Sequence, residues 1–207
     1  MKFDDAFARL PLVAILRGLT PGDADSVGEA LVDAGFALIE VPLNSPEPFE
    51  SISRLARRLE GRAVVGAGTV LAAEDVDRVR DAGGTLVVSP HTDTAVIART
   101  AALGLASVPG FATPSEAFAA LRAGATALKL FPAEGASPAV LKAVRAVLPP
   151  GTRVLPVGGI APDGMGPWLE AGAAGFGLGS AVYRPGDPAA EVREKAGAFV
   201  SAYRSAG

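Results

Sequence analysis

Short apolar runs recur along the chain, each followed by a turn and then by a stretch with helical spacing. "LVAIL" starts at 12, "ALIEV" at 37, "AVVGA" at 63 and "TLVVS" at 85, and the second half continues with "ASVP" at 106, "ALKLF" at 127, "VLPV" at 154 and "GFGL" at 175. The starts lie roughly 20 to 27 residues apart, room for one strand, one helix and two short loops. The intervening segments carry helix signals. Thr20 and Pro21 open one helix that Gly35 ends; Thr113, Pro114 and Glu116 form a capping box in "TPSEAFAALRAG", with Gly124 as the stop. Eight such units predict a single α/β domain over residues 1–207, a (β/α)8 TIM barrel with residues 3 to 9 as a short N-terminal helix. A doubly wound open sheet has the same spacing and stays open as the alternative.

The pattern is interrupted at few places, and the interruptions carry the chemistry. Within or just after the apolar runs stand Arg17, Glu40 and Lys129. On "ALKLF", Ala127, Lys129 and Phe131 share one face while Leu128 and Leu130 take the other; on "ALIEV", Leu38 and Glu40 share a face opposite Ile39 and Val41. A barrel points Lys129 and Glu40 into one lumen, near the strand ends where barrels keep their active sites. Burial disfavours a charged amine, so such a pair is either a structural ion pair or a nucleophilic amine with an acid/base partner.

Two glycine-rich turns follow the seventh and eighth runs, "VGGIAPDGM" and "GLGSAVY". Gly158, Gly159, Gly179 and Ser180 lie where many barrels bind phosphate with backbone N–H groups, although tight turns use glycine for steric reasons as well. Thr69, just after the third run, either donates a hydroxyl to a carboxylate or ketone or caps the following helix. His91 reads as a loop residue and Trp168 as helix packing.

Composition narrows the classes. The 207 residues are 49% hydrophobic and 20% charged, with a net charge of −3 and no basic block, so no electrostatic footprint for nucleic acid or membrane is expected. There is no cysteine and a single histidine, which removes disulfides, a cysteine nucleophile and a multi-histidine metal site; no metal and no cofactor are expected. "MKFDDAFARLP" is too acidic for a signal peptide, and no run approaches the ~20 apolar residues of a membrane span, so a cytoplasmic protein acting on a small molecule is expected.

With these residues in place, the chain resembles the 2-keto-3-deoxy-6-phosphogluconate and -galactonate aldolases, pyruvate-dependent class I aldolases of Entner-Doudoroff type pathways. The likeness runs from about residue 11 to about 204 and includes "AILRG", "IEVPLNS", "VGAGTVL", "VSPH", "KLFPA", "VGGI" and "GLGS". It implies that Lys129 is the Schiff-base lysine, Glu40 the proton shuttle and Thr69 a ligand of the pyruvoyl part. It further implies that Gly158, Gly159, Gly179 and Ser180 cradle phosphate, that Pro90 and Phe131 line the pocket, and that the chain forms a homotrimer. Gluconate-type members resemble "LEVTLRT" around the acid, with an arginine four residues after it, and carry a threonine before the paired glycines. Asn44 and Val157 stand at those positions here, which resembles the galactonate type and implies that Arg17 holds the substrate carboxylate. Two other uses of such a barrel are an isomerase or epimerase, with Lys129 as electrostatic stabiliser only, and a sugar-phosphate binding protein without turnover.

Overall fold

The structure, a computed structural model, describes residues 1–206. Helix α1 (Phe3–Arg9) comes first, where residues 3 to 9 predict it. Strands and helices then alternate through β1 (Leu12–Ile15), α2 (Pro21–Ala34), β2 (Leu38–Pro42), α3 (Pro48–Arg58), β3 (Val64–Gly68), α4 (Ala73–Asp81), β4 (Leu86–Val88) and α5 (Thr94–Ala102). The second half follows as β5 (Ala106–Val108), β6 (Gly110–Phe111), α6 (Pro114–Arg122), β7 (Leu128–Leu130), α7 (Pro138–Arg145), β8 (Val154–Pro156), α8 (Met165–Glu170), β9 (Phe176–Leu178) and α9 (Ala189–Ala206). Every predicted run contains a strand.

The fifth run is where the prediction of one strand per unit needs correcting. Pro109 has no N–H to give to a ladder, and it divides that run into β5 and β6. The consequence is two sheets: six strands in the order β5-β4-β3-β2-β1-β9, and three in the order β6-β7-β8, all parallel. The Pro109 carbonyl still accepts from Lys129 N–H at 2.9 Å, and Ser89 O accepts from Gly110 N–H at 2.9 Å. At the other edge Val157 bridges Gly177, and Ala174 N–H reaches Val154 O at 2.9 Å. The six-stranded sheet is thus a curled half-barrel whose two edges meet the smaller sheet.

Alternation along the strands sorts side chains into two layers. Leu12, Ala14, Ile39, Val41, Val65, Ala67, Leu128 and Leu130 face outward and are buried under the helices. Val13, Leu38, Val64, Leu86, Val88, Val108, Ala127 and Leu155 face inward and form a second apolar cluster, joined at its N-terminal end by Phe3 and Phe7 of α1. Those two rings lie 5.6 Å apart, and burying an aromatic or aliphatic side chain of this size stabilises by about 1.5–3 kcal/mol. The outward layer explains why the helices pack; the inward layer sets where a charged side chain is an exception.

The helix ends follow the sequence signals with one difference. Thr113 and Glu116 make the expected reciprocal cap, Glu116 Oε2 accepting from Thr113 N–H at 2.8 Å. Gly35 closes α2 in a left-handed conformation at φ 111°. Thr20 stands at the N-cap of α2, but its hydroxyl donates to Asp23 Oδ2 at 2.7 Å and accepts no backbone N–H. Trp168 is buried in α8, and His91 is exposed in the loop between β4 and α5.

Candidate active site

Glu40 sits late in β2, 1% exposed, and Lys129 sits in the middle of β7, 7% exposed; both point inward, as the alternation predicts. A small void bounded by Val13, Val88, Val108 and Leu155 adjoins both side chains. Glu40 Oε2 is buried without a hydrogen-bond partner, and no ion-pair contact within 4.0 Å joins it to Lys129 among the described residues. A structural ion pair needs that contact; a site that admits a reacting group between acid and amine needs the gap.

Burial dominates the titration of both groups. It pushes the Glu40 carboxyl up to about 7, against the opposing pull of Lys129 and then Arg17. It also holds the Lys129 ammonium below its ordinary range; Glu40 opposes this, and the Arg17 cation adds to it. An apolar wall therefore favours the neutral amine, the nucleophilic form. The Lys129 Nζ lies 4.7 Å from the centroid of the Phe131 ring, two residues along the same face.

Glycine makes room for the acid. A Cβ at Gly68, at the end of β3, would overlap the Glu40 carboxylate, with Oε2 its nearest atom. Gly68→Ala is therefore expected to displace Glu40 or distort β3, at a cost of about 1–3 kcal/mol for overpacking. Turnover and its pH profile, measured beside a thermal melt, check this; an alanine variant with wild-type turnover would show that the carboxylate's seat is not needed.

Above this pair opens a cavity of about 540 Å³, within the range of small-ligand sites. Arg17, Lys129, Phe131, Val157, Gly158, Gly159, Gly179 and Ser180 all line it, so most of the residues singled out in the sequence come together. Gly158 and Gly159 have φ of 111° and 66°, a turn that a residue with a Cβ rarely adopts. The loop that carries Arg17 is stitched to the loop after β2: Arg17 Nη1 donates to Asn44 Oδ1 at 2.6 Å and Gly18 N–H to Ser45 Oγ at 2.9 Å. Asn44, the substituted position of "IEVPLNS", thus aims the guanidinium of "ILRG".

Three predicted residues are not in the lining of this cavity: Glu40, which borders the smaller void, and Pro90 and Thr69. Pro90 lies after β4, with its carbonyl packed on Gly110. Thr69 follows β3 with a left-handed φ of 54°, unusual for a β-branched residue. It does not cap α4, whose N-cap is Ala72, so the capping alternative for Thr69 is not what the fold uses.

Three polar or charged lining residues escaped the sequence reading. Glu134 lies over the turn: a Cβ at Gly158 or Gly159 would strike its side chain. Tyr183 is 2% exposed, its hydroxyl without a partner among the described residues and pushed up to about 12 by burial, with Asp23 and Asp187 adding to it. Arg184 follows it at the rim. A charged residue in "FPAEG" or "VYRPG" gives no sign in sequence of facing inward, because these loops have no fixed alternation.

Comparison with known proteins agrees with the geometry. Residues 3–189 match the family described as KDPG and KHG aldolase. The 2-dehydro-3-deoxy-6-phosphogalactonate aldolase of Escherichia coli (strain K12) is 46% identical over 198 residues, covering 96% of this chain and 97% of that protein. The 2-dehydro-3-deoxy-phosphogluconate aldolase of Zymomonas mobilis subsp. mobilis is 36% identical over 173 residues, covering 82% of this chain and 81% of that protein. A solved structure described as native KDPGal superposes with a TM-score of 0.94 at 46% identity, covering 96% of each chain. A buried amine and acid beneath a glycine-lined cavity, and likeness along nearly the whole length, place the chain in the KDPG and KHG aldolase family.

Proposed function

We propose that the chain is a class I aldolase that cleaves 2-dehydro-3-deoxy-6-phosphogalactonate to pyruvate and D-glyceraldehyde 3-phosphate through an imine on Lys129. The observation that carries this reading is Lys129 itself, a buried amine without an ion-pair partner among the described residues, at the base of a cavity and held toward neutrality by its surroundings.

Neutral Lys129 adds to the C2 ketone, and Glu40 in its protonated form helps expel water from the carbinolamine to leave a protonated imine. Glu40, now a carboxylate, takes the C4 hydroxyl proton directly or through water. The C3–C4 bonding pair moves toward the imine nitrogen, giving an enamine and releasing glyceraldehyde 3-phosphate. The enamine is protonated at C3, and water hydrolyses the iminium to pyruvate and free amine. A carboxyl near 7 serves both directions of this traffic at neutral pH.

Arg17, aimed by Asn44, grips the substrate carboxylate; Thr69 hydrogen-bonds the pyruvoyl part, and Gly158, Gly159, Gly179 and Ser180 offer backbone N–H groups to the phosphate. Phe131 and Val157 shape the pocket, with Val157 standing where gluconate-type relatives carry a threonine. We read the two sheets as one closed (β/α)8 barrel, a reading supported by the hydrogen bonds across both seams. A homotrimer and a cytoplasmic location belong to the same proposal; among the described residues no helix is long and apolar enough to cross a membrane.

Comparing cleavage of the two C4 epimers tests the assignment. The galactonate epimer is expected to be the better substrate by kcat/KM. A strong preference for the gluconate epimer would overturn the galactonate assignment, and cleavage of neither would overturn the aldolase reading.

A further inference from the structure

The glycine turns offer neutral N–H dipoles to a group that carries nearly two negative charges, and Glu134 lies over the same turn with a carboxylate. The repulsion between that carboxylate and a phosphate is best offset by a cation at this side of the cavity. Lys129 and Arg17 are committed elsewhere, one to the ketone and the other to the carboxylate.

Arg184 supplies that cation. It lines the cavity six residues after the end of β9, and its Nε donates to the carbonyl of Ser180, a cradle residue, at 3.2 Å. Its own N–H is tied to Asp187 Oδ2 at 2.8 Å, and that carboxylate is fixed in turn by Lys195 Nζ at 2.9 Å. The backbone under Arg184 is thus anchored and the side chain is folded back over the cradle. Its two terminal nitrogens bond no other described residue and stay available to an anion. A guanidinium held by its Nε still presents Nη donors in a planar fork, the geometry suited to phosphate oxygens.

We infer that Arg184 is the cationic phosphate-binding residue of this enzyme and sets its preference for phosphorylated over unphosphorylated keto-deoxy sugar acids. The inference rests on the phosphate-cradle reading above and adds to it the side chain that balances the ligand's charge against Glu134.

The test compares wild type with Arg184→Gln and Arg184→Lys, using inorganic phosphate and pyruvate separately as competitive inhibitors of cleavage. Loss of a charge-assisted fork predicts a rise of about 10- to 100-fold in the phosphate inhibition constant and in KM for the phosphorylated substrate in Arg184→Gln. The pyruvate inhibition constant is expected to hold, and Arg184→Lys to recover part of the loss. An unchanged phosphate constant in Arg184→Gln would overturn the inference, as would an equal rise for pyruvate, which would mark a general distortion of the cavity. If wild type cleaves the unphosphorylated analogue with the same KM as the phosphorylated one, the cradle itself falls and the inference with it; that outcome is separate, because it is read on wild type alone.

Discussion

Lys129→Met is expected to lower cleavage by about 10⁵-fold or more, the scale of removing a covalent nucleophile, while leaving the protein folded. Methionine matches the length of the stem and removes an ammonium from an apolar wall, so the thermal midpoint should hold or rise. In wild type, pyruvate and borohydride should leave a reduced adduct on the peptide that carries Lys129. The chain has three other lysines, Lys2, Lys142 and Lys195. Lys2 and Lys142 are exposed, and the hydrogen bonds that Lys195 donates to Glu191 and Asp187 hold it above its usual range, the opposite of what a nucleophile needs. An adduct on any of these, or none at all, would refute the imine mechanism; turnover without an adduct would favour an isomerase on the same scaffold.

Glu40→Gln is the second large effect. Losing the proton shuttle should lower kcat by about 10²- to 10⁴-fold. The wild-type rate should fall on the alkaline side of a limb near pH 7, because above it Glu40 enters the cycle without the proton that expels water from the carbinolamine; the variant should lack that limb. Stability moves in the same direction. A carboxyl raised from 4.5 to about 7 binds its proton more tightly in the folded chain, so its contribution is full below pH 4.5 and is lost as pH rises through 7. Glutamine stays neutral throughout. The variant should therefore gain on wild type between pH 5 and pH 8, by about 3 kcal/mol at the upper end, read by denaturant unfolding at both pH values. A constant difference across that window would show that Glu40 ionises as it does in water.

The parts of the site legible in the sequence are those that obey a period. Glu40 and Lys129 lie on strands, where alternation fixes the face, so their shared lumen follows from Leu38 and Ala127 beside them. The capping box at Thr113 is equally local. What was not legible depends on contacts far along the chain. Nothing within "VGAGTV" says that Gly68 clears space for a carboxylate 28 residues earlier, or that Thr69 takes a left-handed backbone in place of capping a helix. Nor does "ASVPGF" reveal that its proline splits a strand and divides the sheet, because a proline at a strand end looks the same in sequence. Asn44 reads as a missing arginine until its bond to Arg17 makes it the support of a replacement from the neighbouring strand.

Phe3 and Phe7 give the inner cluster a sealed floor, and a chamber sealed at one end has a single doorway. Substrate, water and both products must pass the same rim, so departures take turns. In the proposed mechanism the aldehyde fragment, seated toward the glycine turns, stands between the enamine and bulk water and leaves before hydrolysis begins. On the proposed mechanism the three-carbon phosphate is therefore expected to leave first and pyruvate last, an order to which a seven-residue helix remote from the chemistry contributes.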